Sequence, residues 1–149
     1  MRQQKEAEVL QCALLRDQAT KEVVLEAHAF WVTLRQTEEG PLVPEHGILS
    51  SFNRLGLYSA IRQGFTVFLW TYHRTIVDLP DSGLGPGQVI LQKAHNILPV
   101  EQFERMLAHN WCLPNIADVV RFLALHSVGR PGWMIDGETV WLQPPTKDN

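Results

Sequence analysis

Two acidic residues near the carboxyl end of the sequence, Asp136 and Glu138, have the types and the spacing of a divalent-metal site. Side chains two residues apart in an extended chain lie on the same side, so the two carboxylates are expected to converge. Carboxylate oxygens are hard ligands that suit Mn²⁺ or Mg²⁺. Gly137 between them lets a large ligand approach the backbone, and a metal held there would neutralise a diphosphate leaving group.

The same segment fits a second interpretation. Asp-Gly between two apolar runs is a strong signal for a two-residue β-hairpin turn. Met134 and Ile135 would then pair with the residues from Thr139 onward, and the acidic side chains would only support the turn. Taken alone, the segment favours the hairpin.

The elements that must position these residues alternate between strand-like and helix-like patterns. Strands are expected at 28–34, 65–72 and 88–91 and in the closing run from Trp133, because these runs are rich in β-branched and aromatic residues. Helices are expected at 3–27, 48–62 and 101–110, and from Asn115, as the capping residue after Pro114, to about 126. The alternation predicts an α/β fold, with a Rossmann-like, mostly parallel sheet flanked by helices.

Length and composition limit the classes of function. The chain has 149 residues, a formal net charge of -3 and a pI of about 6.0, so no basic surface for nucleic acid is expected. The two cysteines and six histidines show no metal-binding spacing. The first residues are too polar for a signal peptide, and no apolar stretch approaches the ~20 residues that a membrane helix needs. We therefore expect a cytoplasmic or otherwise soluble chain without a membrane span.

A longer run of residues gives the acidic pair a context. It contains the segment from Ala117 to Phe122 with Asp118 and Arg121, then Gly129 and Gly132, and then Asp136-Gly137-Glu138. This order resembles the donor-site signature of GT-A glycosyltransferases with a DXD motif. That group includes the mannosyltransferases of yeast outer chains, the lactosylceramide galactosyltransferases and the capsular polysaccharide transferases.

The first half of the chain is similar to the same family. Phe30-Trp31 matches the first strand, the run from Val67 to Tyr72 matches the second, and the stretch from Ala94 to Pro99 matches a later block. The resemblance extends from about residue 29 to residue 145. It departs from the family at Glu138, where Asp is usual, and at the Gly-Gly turn, which Arg130 and Pro131 split.

The resemblance implies a truncated nucleotide-sugar-binding domain over residues 28–149, preceded by an N-terminal helix over residues 1–27. Asp136 and Glu138 would hold Mn²⁺ or Mg²⁺, Asp118 and Arg121 would bind the donor sugar and diphosphate, and Trp31 would stack on the base. Packing and a local ion pair are the competing interpretations of Trp31 and of the Asp118–Arg121 pair. No residue qualifies as a catalytic base.

The resemblance also implies a reaction. The chain would bind a UDP- or GDP-sugar and transfer a hexose to a saccharide or other hydroxyl acceptor. The family's acceptor-binding half has no counterpart among these residues, so catalysis would need that half or another subunit. The alternative is a non-catalytic remnant that binds nucleotide weakly or serves as a protein-interaction module.

Overall fold

The computed structural model describes residues 25–80 and 82–145. In chain order, the strands are β1 (Glu26–Phe30), β2 (Arg35–Thr37), β3 (Gly40–Leu42), β4 (His46–Ile48), β5 (Thr66–Thr71), β6 (Thr75–Val77), β7 (Gln88–Lys93) and β8 (Trp133–Met134). The helices are α1 (Ser51–Arg62), α2 (Val100–Ala108) and α3 (Leu113–Val128), with short 3-10 turns at Ser82–Leu84 and Ala94–Asn96. None of the helices described is long and apolar enough to cross a bilayer.

A four-stranded sheet in the order β7-β5-β1-β8 lies at the centre, and each of its neighbouring pairs is parallel. The α/β fold with a parallel sheet is therefore confirmed, and of the strand expected at 133–136 only Trp133–Met134 joins the sheet. β5 is a continuous apolar and β-branched run because it is a central strand, paired with β7 over its whole length and with β1 over Thr66–Trp70. β7 lies at one edge of the sheet, and the short strand β8 lies at the other.

The helices cover both faces of the sheet. On one face, small side chains of β1, Ala27 and Ala29, pack in a cluster with Leu57 and Ala60 of α1. On the other face, Phe30 and Trp70 pack with a second cluster, which contains Phe103, Ile116, Val120 and Ala124 of α2 and α3. Successive strand residues point to opposite faces, so one strand supplies both cores.

The ends of α1 follow the sequence signals. Ser50 caps the helix by accepting a hydrogen bond from the Asn53 N–H at 3.2 Å. Gly64, beyond the last turn, has a positive φ of 92°. A serine at position 50 or 51 and the glycine at position 64 predict these ends, and Ser50 is the cap. The predicted start at Ile48 is wrong, because Ile48 belongs to β4 and the helix begins at Ser51.

Two further predicted helix boundaries are wrong. Glu26 and Ala27 pair with Thr66 and Val67 as part of β1, so the helix expected over 3–27 cannot include them, and its residues 3–24 lie outside the described part of the chain. Asn115 does not cap α3, which begins at Leu113 with Pro114 in its first turn. Proline is tolerated there because the N–H that it lacks would have no partner within the helix.

Replacing Phe65 with Ala tests the core beneath α1. Phe65 is 0% exposed, and its ring contacts Trp141 and Trp133 at centroid distances of 4.7 and 6.5 Å. We expect Phe65→Ala to lower the free energy of unfolding, measured in urea, by about 3–5 kcal/mol, since it leaves a cavity. Phe52→Ala is the matched control: that ring is 74% exposed, and a change within about 0.5 kcal/mol is expected. Equal losses in the two variants would contradict this core.

Candidate functional site

The acidic segment forms a turn rather than an extended strand. The Thr139 N–H donates to the Asp136 carbonyl oxygen at 3.0 Å, and the Glu138 N–H donates to Asp136 Oδ1 at 3.2 Å. The extended conformation expected for this segment is therefore wrong beyond Met134. We call residues 136–139 the acidic turn.

The hairpin interpretation is not supported either. Trp133 and Met134 pair in parallel with Ala27 and His28 of β1 instead of forming a ladder with the residues after the turn. The central positions of the acidic turn are Gly137 and Glu138, one residue later than a hairpin at Asp-Gly requires. Because the turn directly follows a parallel edge strand, it projects from the carboxyl edge of the sheet, where open α/β sheets bind ligands.

Both carboxylates of the turn are solvent-accessible. Asp136 and Glu138 are exposed, and neither forms an ion pair with another described residue. Within the described ranges, no group of three or more His, Cys, Asp or Glu side chains could hold a metal by itself. Mg²⁺-like ions are commonly held by one or two carboxylates together with substrate phosphates. Two exposed carboxylates are the donor set that the described part of the turn offers such an ion.

Arg121 connects α3 to the acidic turn. Its Nη2 donates to the carboxylate of Asp118, one helical turn earlier, and its Nη1 donates to the carbonyl oxygen of Ile135 at 3.1 Å. The Arg121 side chain is only 14% exposed, whereas that of Asp118 is 54% exposed. The shared helix face expected for these two residues is observed, and the contact that they make is the local ion pair named above as the competing interpretation. Arg121 also bonds to the backbone of Ile135, the residue before Asp136.

One nitrogen of the Arg121 side chain has no hydrogen-bond partner in the part of the chain that the structure describes. Arg121 Nε is buried and has no hydrogen-bond partner among the residues described. A buried, unpaired N–H costs about 1–3 kcal/mol, so the guanidinium retains an unused donor. Asp118 uses Oδ1 for Arg121 and presents an exposed carboxylate to solvent.

Trp31 lies at the same edge of the sheet as the acidic turn. It directly follows β1, the strand that pairs with β8, so it and Asp136 both come after the carboxyl ends of neighbouring strands. The indole is half-buried and packs on His73, with ring centroids 5.3 Å apart. A Cβ on Gly47 would come within 2.7 Å of either ring, so only glycine leaves room for this pair. Trp31 packs against the core on the α1 face of the sheet, whereas Asp118 and Arg121 belong to α3, which packs on the other face.

His73 is a residue that sequence reasoning missed. Its Nε2 accepts the Thr33 N–H at 2.8 Å, and its Nδ1 therefore carries the proton that it donates to the Pro44 carbonyl oxygen at 2.6 Å. The neutral ring thus holds two loop segments beside Trp31. No spacing pattern in the sequence identifies it, because both partners are backbone atoms from other segments.

A groove of about 560 Å³ lies elsewhere, between α1 and the segment after β6. It is lined by Ser51, Arg54, Leu55, Tyr58, Asp78, Leu79, Pro80 and Leu84. None of the predicted site residues lines it. The carboxylates of Asp118, Asp136 and Glu138 and the guanidinium of Arg121 lie apart from this groove, at the edge of the sheet. We call these four residues the polar cluster.

Comparison with known proteins adds no assignment: no protein family, curated protein or solved structure matches the chain. A functional proposal must therefore depend on the polar cluster and on the resemblance found in the sequence.

The buried histidines make the stability depend on pH. Burial lowers the pKa of His73 below the usual 6.5, although its bond to Pro44 acts in the opposite direction. Burial also lowers the pKa of His28, with a raising effect of Glu26 and a lowering effect of Arg130. The unfolded chain then binds protons at a higher pH than the folded chain does. Their contribution to stability is therefore complete above pH 6.5 and is lost as the pH falls toward the folded pKa values.

We expect the melting temperature to fall between pH 7 and pH 5, and His73→Gln to reduce that fall because Gln does not titrate. His95→Gln changes an exposed histidine in the same way and should leave the pH dependence as it is in the parent protein. Thermal unfolding followed by circular dichroism at several pH values gives the comparison. If His73→Gln and the parent have the same pH dependence, His73 is not the titrating group.

Proposed function

We propose that this chain binds a nucleotide-diphosphate sugar together with Mn²⁺ or Mg²⁺, as the donor-binding part of a GT-A-type glycosyltransferase. The observation that carries the proposal is the pair of hydrogen bonds that Arg121 donates, one to the Asp118 carboxylate and one to the carbonyl oxygen of Ile135. These bonds connect Asp118, through Arg121, to the backbone of the residue that directly precedes Asp136. The parallel sheet supports the proposal, because the cluster lies at its carboxyl edge.

Each residue has a role that its chemistry allows. Asp136 and Glu138 would hold the metal, which when bound neutralises charge on the diphosphate leaving group. The free oxygen of Asp118 would accept hydrogen bonds from sugar hydroxyls. Arg121 would keep Asp118 in place and supply fixed positive charge near the diphosphate, where a preorganised donor favours the developing negative charge. Trp31 would offer its partly exposed ring to the base.

The proposed acceptor is a saccharide or another hydroxyl compound, and hexosyl transfer to it would need acceptor-binding residues beyond this cluster. The second candidate function is a protein-interaction module, and the exposure of two apolar side chains supports it. Phe122, one helical turn after Asp118, is 65% exposed, and Leu142 after the acidic turn is 89% exposed. A contiguous patch of exposed apolar side chains is typical of a surface that another protein or domain covers, and these two residues would contribute to such a patch.

Nucleotide binding distinguishes the two candidates. We expect UDP or GDP to bind in the presence of Mn²⁺ with a dissociation constant of tens of micromolar or weaker. This corresponds to a binding free energy of about 6 kcal/mol or less. Asp136→Asn should weaken this binding about tenfold or more, because it removes a charged metal ligand. The fold should remain, because the Asn side-chain oxygen can still accept the Glu138 N–H, and the free energy of unfolding should stay within about 0.5 kcal/mol.

Isothermal titration calorimetry with each nucleotide, with and without Mn²⁺, measures the effect. Asp78→Asn is the matched control, since Asp78 is exposed, has a positive φ of 61° that Asn tolerates, and pairs with Arg54 away from the cluster. It should bind as the parent protein does. Absence of metal-dependent heat in the parent protein would count against the glycosyltransferase proposal and favour the interaction module.

A further inference from the structure

Three residues on one face of α1 contact the backbone of the acidic turn and the residues after it. Asn53, Gly56 and Ser59 follow one another at intervals of three, which aligns them along the helix. We call them the α1 contact stripe. A Cβ on Gly137 would lie 2.3 Å from Asn53 Oδ1, and a Cβ on Gly56 would lie 2.0 Å from the Gly137 carbonyl oxygen.

The third residue of the stripe makes a hydrogen bond. Ser59 Oγ accepts the Trp141 N–H at 2.8 Å and donates to the Gly56 carbonyl oxygen at 2.8 Å. Ser59 is only 7% exposed, so this hydroxyl is committed to the contact. Gly56 is in the interior of a helix, where glycine costs about 1 kcal/mol relative to alanine. The turn and the helix therefore meet backbone to backbone at a point where no side chain fits.

We propose that the α1 contact stripe positions the metal site: it holds the backbone of residues 137–141 so that Asp136 and Glu138 are presented to the metal and diphosphate together. This inference depends on the proposed function, since the stripe positions a site only if that site binds. Residues behind metal ligands commonly change metal affinity by about 10- to 100-fold when they are altered. None of the three is a catalytic residue.

The test is Gly56→Ala. In an ordinary helix interior this change is stabilising, but here the added methyl group would overlap the Gly137 carbonyl oxygen and displace the acidic turn. We expect binding of UDP or GDP in Mn²⁺ to weaken about tenfold or more. Binding of the same nucleotide in EDTA should be unchanged. A general loss of structure would instead weaken both, so the comparison separates positioning from damage.

Ser59→Ala is a second variant, which keeps the test valid if Gly56→Ala fails to fold. It removes the acceptor of the Trp141 N–H without adding volume, and metal-dependent binding should weaken in the same way. Leu55→Ala is the control on the same helix, because Leu55 is 51% exposed and is not part of the stripe. Its metal-dependent binding should match that of the parent protein.

The outcomes are distinct. Selective loss of metal-dependent binding in the folded stripe variants, with Leu55→Ala unaffected, supports the inference. Parent-like binding in both stripe variants, or equal weakening with and without Mn²⁺, overturns the positioning role and leaves the proposed function standing. Absence of metal-dependent binding in the parent protein overturns the proposed function, and the inference with it.

Discussion

Contact between the Gly137 backbone and helix α1 determines where the acidic turn lies. Two hydrogen-bonded residues are too few to fix an edge strand by themselves, and β8 contains only Trp133 and Met134. The turn after it is therefore located by what packs around it: glycine and serine of α1 on one side, and Arg121 of α3, through the Ile135 carbonyl, on the other. The position of the two carboxylates thus depends on both helical layers at once.

Two neutral histidines, His73 and His28, stabilise other parts of the fold. Around Trp31, the loops are held by a neutral imidazole between two backbone groups. The buried His28 has the opposite tautomer, because its Nδ1 accepts the Trp70 indole N–H at 3.0 Å and so cannot carry the proton. Both rings must stay uncharged, but for separate reasons. His73 joins two loops through its two ring nitrogens, and His28 accepts the Trp70 indole N–H inside the core.

The sequence was informative where structure follows from local pattern. The apolar run of β5 and the stop at Gly64 each correspond to a physical preference of a few neighbouring residues, and each was predicted correctly. A capping serine near the start of α1 was expected at either position 50 or position 51, and it is Ser50. The acidic segment was predicted as a strand or a hairpin, and it is neither, because its shape is imposed by α1, which lies some 80 residues earlier in the chain. One local signal did exist: Gly56 inside a helical pattern indicates a close backbone approach, although it does not say to what.

The pairing of β1 with β8 affects when this contact forms during folding and how the segment after β8 unfolds locally. It joins Ala27 to Trp133 and so closes a loop of about 100 residues. Such a distant contact forms only after the intervening strands and helices are in place. The segment from Trp133 to Trp141 is held by its two ladder pairs with β1 and by its contacts with α1, Arg121 and Phe65, and it can detach only when they break together. It would then be a separate cooperative unit, whose amide hydrogens exchange with solvent before those of β5.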